Sequence, residues 1–117
     1  MTFIKRMTAA NKFTTSDVLQ HLSTDTDWQV RCVVAYNLNT PVDVLVKLST
    51  DKKTVVRCNV ASNSNTPVDV LVKLSTDKHW SVRLSIANNI RTPMDILENL
   101  STDENTGVRE TAKYKMK

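Results

Sequence analysis

Glycine is almost missing: the 117-residue chain holds one, Gly107. A phosphate-cradling loop needs several glycines so that backbone N–H groups can close on the anion, and a single one excludes it. Cysteine is scarce as well, with only Cys32 and Cys58. Two thiols cannot build a disulfide scaffold or an iron–sulfur site, and their spacing fits no zinc motif. The expectation is therefore no metal and no cofactor. No apolar run approaches the roughly 18–20 residues of a membrane helix. The opening MTFIKRMTAANKF lacks the continuous apolar stretch of a secretory signal. A cytoplasmic protein is expected. Alternating strand patterns are absent, so no sheet is expected. The two histidines, His21 and His79, have no evident nucleophile partner. An enzyme is not expected.

Basic residues outnumber acidic ones, 16 to 12. The excess is uneven. Residues 41–91 hold eight basic and four acidic residues, while the flanking stretches nearly balance. Any electropositive patch belongs to this middle stretch.

The dominant signal is internal repetition. Leu-Ser-Thr-Asp recurs at residues 22–25, 48–51, 74–77 and 100–103, a spacing of 26. Units then run 14–39, 40–65, 66–91 and 92–117, and residues 1–13 align with the second half of a unit. A period in this range marks a stacked array in one domain over 1–117, whose units bury their apolar stripes against neighbours.

Each unit reads as two helices. Thr40, Pro41 and Asp43 suit an N-cap, a first helical position and a first-turn acid. Val44, Leu45 and Leu48 give the first helix one apolar side. Ser-Thr-Asp turns the chain. Val56, Val60 and Ala61 line the second helix, which ends near Asn63. Asn37, Asn63 and Asn89 are expected to close their helices in the left-handed conformation. Lys113 and Lys115 replace the alanine and asparagine of other units, which reads as a polar cap.

The stretch TPVDVLVKLSTDKKTVVRCNVASNSNTP resembles the leucine-rich repeat variant family, and the spacing of Asp51, Val56 and Arg57 resembles HEAT repeats. The resemblance implies an all-α, right-handed α-solenoid of four two-helix units plus a leading half unit. It implies a second helix that is sometimes short or partly 3₁₀, with the second helices lining a concave surface. It implies a binding scaffold rather than a catalyst. Two cysteines cannot ligate the iron–sulfur cluster that precedes the repeats in one such protein, so that feature is not carried over.

Four groups of residues are candidates for function. Arg31, Arg57, Arg83 and Arg109 form a column, with Lys5 in the same slot. It grips phosphates, or it is a structural ladder to Asp25, Asp51, Asp77 and Asp103, through the aspartate six residues earlier or the one in the adjacent unit. The exposed face of the second helices carries Gln29, Val33 and Tyr36, then Val55, Asn59 and Ser62, then Ser81, Ser85 and Asn88. These uncharged slots vary between units and suit a protein partner; the alternative is a solvated face. Lys47, Lys52, Lys53, Lys73, Lys78 and His79 form a basic rim, suited to nucleic-acid backbone or simply to solubility. Trp28 and Trp80 share one slot and either cover the turn or anchor a partner. Cys32 and Cys58 are expected as free, packed thiols.

The leading expectation is a protein-interaction scaffold, inhibitor or adaptor of bacterial or phage type; the alternative is nucleic-acid binding along the lysine rim. Homo-oligomers through the terminal repeats are a further possibility, with Phe3, Ile4, Met7 and Phe13 marking the stickier end.

Overall fold

Short and long helices alternate along the chain. A computed structural model describes residues 2–117, which form nine α-helices and no strand among the described residues. The long helices are α1 (Thr2–Ala10), α3 (Trp28–Tyr36), α5 (Thr54–Ser62), α7 (Trp80–Asn88) and α9 (Thr106–Lys115). The short ones are α2 (Ser16–Leu22), α4 (Val42–Leu48), α6 (Val68–Leu74) and α8 (Met94–Leu100).

The long helices stack in a row, α1 on α3, α3 on α5, α5 on α7 and α7 on α9. Each short helix packs against the long helices before and after it. The result is an elongated body of 43 × 20 × 18 Å. Seven residues are about two turns, too few to be stable alone, so α2, α4, α6 and α8 depend on this packing.

The apolar stripes meet between the two layers. Leu19, Leu45, Leu71 and Leu97 from the short helices and Val30, Val56, Val82 and Val108 from the long ones are buried. Each such side chain contributes about 1.5–3 kcal/mol through its removal from water. Ala9, Ala35, Ala61 and Ala87 are fully buried, and the next long helix crosses close by. A larger side chain in that slot would wedge neighbouring units apart. In the last unit the slot holds Lys113, which is exposed.

Three expectations about local structure are corrected. Asn37, Asn63 and Asn89 are not left-handed. Their φ/ψ values are −68/127, −71/123 and −70/126, an extended backbone. No described residue has positive φ, so closing these helices requires none. Thr40 is not the N-cap of α4. Pro41 occupies that position with ψ 150, just outside the helix, and its carbonyl accepts from Val44 and Leu45. The Thr40 hydroxyl instead donates back to Val34 O at 2.5 Å, satisfying a last-turn carbonyl of α3. Thr66 and Thr92 do the same to Val60 and Ile86. Finally, the short helix is the first of each pair, and the second is α-helical throughout rather than 3₁₀.

Candidate partner-binding surface

Two rows of polar side chains hold the long helices in register, and what they leave free defines the surface. The first row runs past the helix starts. Arg31 donates from Nε and Nη2 to both carboxylate oxygens of Asp51, at 2.7 and 3.1 Å. Its Nη1 donates to Asp25 O at 2.9 Å. Arg57 and Arg83 repeat the geometry, with Asp77 and Asp103 as carboxylate partners and Asp51 O and Asp77 O as carbonyl acceptors. Each arginine therefore reaches the aspartate of the following unit through its side chain and the aspartate of its own unit through the backbone. The fork-on-fork geometry is the strong form of this pair.

Each aspartate has a further task. Oδ1 of Asp25, Asp51, Asp77 and Asp103 accepts from the N–H two residues on, at 2.8–2.9 Å, shaping the turn. Burial works against ionisation of Asp51, Asp77 and Asp103. The arginine and backbone hydrogen bonds outweigh it, and all three carboxyls sit below their ordinary value. Asp25 is lowered by Lys5, which donates to it at 2.9 Å, and by the Asp27 N–H. The partnered arginines Arg31, Arg57 and Arg83 are raised by these carboxylates. Arg109 has no aspartate ahead. It keeps the carbonyl bond to Asp103 and approaches Glu110 at 3.9 Å.

The second row lies at the opposite ends of the long helices. Asn37 Nδ2 donates to Ala9 O and Asn11 O at 2.7 and 3.1 Å. Asn63 donates to Ala35 O and Asn37 O, and Asn89 to Ala61 O and Asn63 O. Each Oδ1 accepts from the N–H two residues on, as Asn63 does from Asn65 at 2.9 Å. One buried amide thus ties two carbonyls of the preceding unit to the turn of its own. Sequence reasoning missed this role; the recurrence of Asn11, Asn37, Asn63 and Asn89 carried the signal.

The nine slots expected on the binding face divide. Gln29, Tyr36, Val55, Ser62 and Asn88 are exposed; Val33, Asn59, Ser81 and Ser85 are half-buried. Asn59 is committed internally, donating to Cys32 O and Sγ at 2.9 Å. Ser81 lies in the first turn of α7 and donates its N–H at 3.1 Å to Nδ1 of His79, which caps the helix. His79 as a cap was not foreseen. Asp27 and Asn105 cap α3 and α9, and Lys53 leaves α5 without a side-chain cap.

The two tryptophans share a slot but not a setting. Lys53 Nζ lies 5.3 Å from the centre of the Trp28 ring, covering it. Trp80 is exposed, with His79 beside it. The six rim residues Lys47, Lys52, Lys53, Lys73, Lys78 and His79 are all exposed, though Lys53 serves Trp28 and Lys73 reaches Ser49 at 3.4 Å. Cys32 and Cys58 are free, half-buried and packed on the core, and burial raises the Cys32 thiol. Among the described residues no cluster of His, Cys, Asp or Glu is arranged to hold a metal ion. No described helix is long and apolar enough to cross a membrane.

A shallow depression escaped the sequence reading. Phe13, Tyr36, Leu38, Asn37 and Asn39 line it, and a smaller one continues along Tyr36, Leu38, Ser62 and Ser64. Leu38 and Ile90 are exposed apolar residues in turns otherwise made of polar residues, and that contrast was the available signal.

The alternation of helices, the forked arginines and the repeated caps together describe a helical repeat protein. Residues 54–79 match the leucine rich repeat variant family. The matched stretch begins with α5, spans α6 and stops at the residue before α7. It contains Arg57, Asn63 and Asp77, so one member of each row lies inside it. The match agrees with the resemblance carried by the sequence. No curated protein and no solved structure matches the chain.

Proposed function

We propose that the chain is a non-catalytic interaction scaffold, a right-handed solenoid of four 26-residue units and a half unit. It binds a protein partner through the exposed, concave side of its long helices. The observation that carries this reading is a division of labour. The constant polar residues are consumed by internal bonds, while Gln29, Tyr36, Val55, Ser62 and Asn88 are exposed, uncharged and different from unit to unit. Tyr36 and the open Trp80 are the anchors, since aromatic side chains bring large contact area for few rotatable bonds.

Affinity capture from host lysate tests it, with nuclease present and with Tyr36→Ala and Trp80→Ala as paired baits. A protein retained by the parent and lost by both variants, at unchanged melting temperature, is the expected result. Equal retention by all three would sink the reading.

Nucleic-acid binding is the second reading, favoured by the exposure of all six rim residues. It calls for affinity that falls steeply with salt, and for a shallower slope in Lys52→Ala/Lys78→Ala. Absence of DNA or RNA binding at low salt removes it.

A further inference from the structure

The outer side of the short helices is apolar in the middle of the stack, where nothing in the fold asks for it. Val44, Leu45 and Leu48 of α4 are buried in the core, and so are Val70, Leu71 and Leu74 of α6. The other side of each helix faces away from the long helices. There Val42, Val46, Val68 and Val72 are 51%, 44%, 41% and 44% exposed. Valine is a poorer helix former than the straight-chain residues, so an exposed helix position does not favour it. The outer units show that the fold does not require it either. The slot of Val42 and Val68 holds Ser16 in α2 and Met94 in α8, and the slot of Val46 and Val72 holds Gln20 and Glu98. Helices α4 and α6 both pack against α5. Two valine pairs on such neighbours make an apolar patch of the kind that marks an interaction surface.

Charge selects the surface that fits. Asp43 and Lys47 share a flank of α4 at i, i+4 spacing, beside the valine pair, as Asp69 and Lys73 do on α6. All four are exposed, and none enters an ion pair among the described residues. Lys73 reaches back to Ser49 at 3.4 Å, so the charged flank lies toward the preceding unit and the valine flank away from it. Along the stack the face alternates charged pair and valine pair. Across it, both aspartates lie on the edge where the helices start, and both lysines lie about 6 Å further along. A two-fold axis parallel to the stack keeps each position along the stack and exchanges these edges. Valine then meets valine, Asp43 meets Lys47 of the partner subunit, and Asp69 meets Lys73 of the partner subunit. A two-fold axis perpendicular to the stack would set aspartate on aspartate and lysine on lysine, which is repulsive. At roughly 80 Å² for each half-exposed side chain, the eight residues offer on the order of 600 Å² per copy and 1,200 Å² for the pair, where specific interfaces begin.

We propose that the chain forms a two-fold dimer through the outer faces of α4 and α6, with the two stacks side by side and the facing short helices antiparallel. Such a contact uses itself up, so assembly stops at two. It lies on the layer opposite the long-helix surface, which stays open in both copies, so it stands apart from the partner-binding reading. It covers Lys47 and Lys73 and leaves Lys52, Lys53 and Lys78 as the accessible part of the basic rim.

Sedimentation velocity across the micromolar range tests the dimer, using the parent and three variants whose folding is checked by thermal melting. Val46→Gln/Val72→Gln places in both slots the residue that α2 already carries there, so it folds normally. Asp43→Lys/Asp69→Lys makes the charged flanks wholly basic, and Lys47→Glu/Lys73→Glu makes them wholly acidic. The expected result is a parent dimer whose mass does not grow further with concentration. Each variant alone has half that mass, and mixing the basic variant with the acidic one restores the dimer. A parent that is monomeric throughout overturns the proposal. So does a dimer that survives Val46→Gln/Val72→Gln, which places the contact elsewhere. A mass that climbs past two copies rules out the closed pair. Basic and acidic variants that stay monomeric when mixed remove the charge pairing on which the arrangement rests.

Discussion

The arginine–aspartate row and the asparagine row bind the same long helices at their two ends, yet by different physics. The arginine row is ionic and lies near the surface; the Arg57 and Asp77 side chains are each about one-tenth exposed. The asparagine row is neutral and buried, and its acceptors are backbone carbonyls at the end of the preceding unit's long helix. An ion pair at an accessible edge loses part of its Coulomb energy to solvent and salt. A buried amide gains little net energy when satisfied but leaves several groups orphaned when removed. The comparison teaches that the uncharged row is the stiffer fastening, and that the charged one can be tuned by conditions.

The largest effect is expected at Asn63. Asn63→Ala strands the buried Ala35 O, releases the Asn65 N–H and takes one of two donors from Asn37 O, which keeps the Thr40 N–H; it should cost about 3–4 kcal/mol by chemical denaturation. Arg57→Ala should cost less, about 2–3 kcal/mol, because Asp77 keeps its bond from the His79 N–H and some access to water. If Arg57→Ala proves the more damaging, the ranking of the two rows is reversed. The end of the ladder makes an internal control. Arg109→Ala, which breaks no bidentate pair, should cost under about 1 kcal/mol.

Acid separates the rows more finely. Asp51, Asp77 and Asp103 have folded pKa values below the unfolded one, about 3.9. As pH falls through that value the unfolded chain takes up protons first. The stability from these carboxylates is thus complete above about pH 5 and declines from there to the folded pKa values. Removing Arg57 lets the Asp77 pKa rise, so Arg57→Ala should show a shallower loss of melting temperature between about pH 5 and 2 than the parent. Asn63→Ala should parallel the parent. The smallest effect is at Lys5, whose pair with Asp25 is half exposed on the lysine side; Lys5→Ala should shift stability by under about 0.5 kcal/mol.

Much of this was legible in the residues. The recurrence of Leu-Ser-Thr-Asp, the apolar spacing of Val44, Leu45 and Leu48, and the aspartate six residues before each of Arg31, Arg57, Arg83 and Arg109 all pointed to stacked helix pairs. The roles of Thr40 and Asn63 were misread for one reason. Both residue types have strong local habits, N-capping and left-handed closure, and the sequence reading assigned them by habit. Here each is drawn to last-turn carbonyls at helix ends, Thr40 to Val34 of the preceding helix and Asn63 to Ala35 of the preceding unit. The candidate surface was legible only in part. Periodicity identified Tyr36 and Asn59 as members of one helical face, but it could not separate a free side chain from one bonded to the neighbouring unit.

The sequence by itself determined that the chain forms helix pairs and which stripes are apolar, because side-chain spacing along a helix is a local property. Only the tertiary structure decided which carboxylate each arginine takes and how the asparagines are spent. Those outcomes depend on distances of 20 to 28 residues along the chain, closed by stacking, and no local rule reaches across a unit.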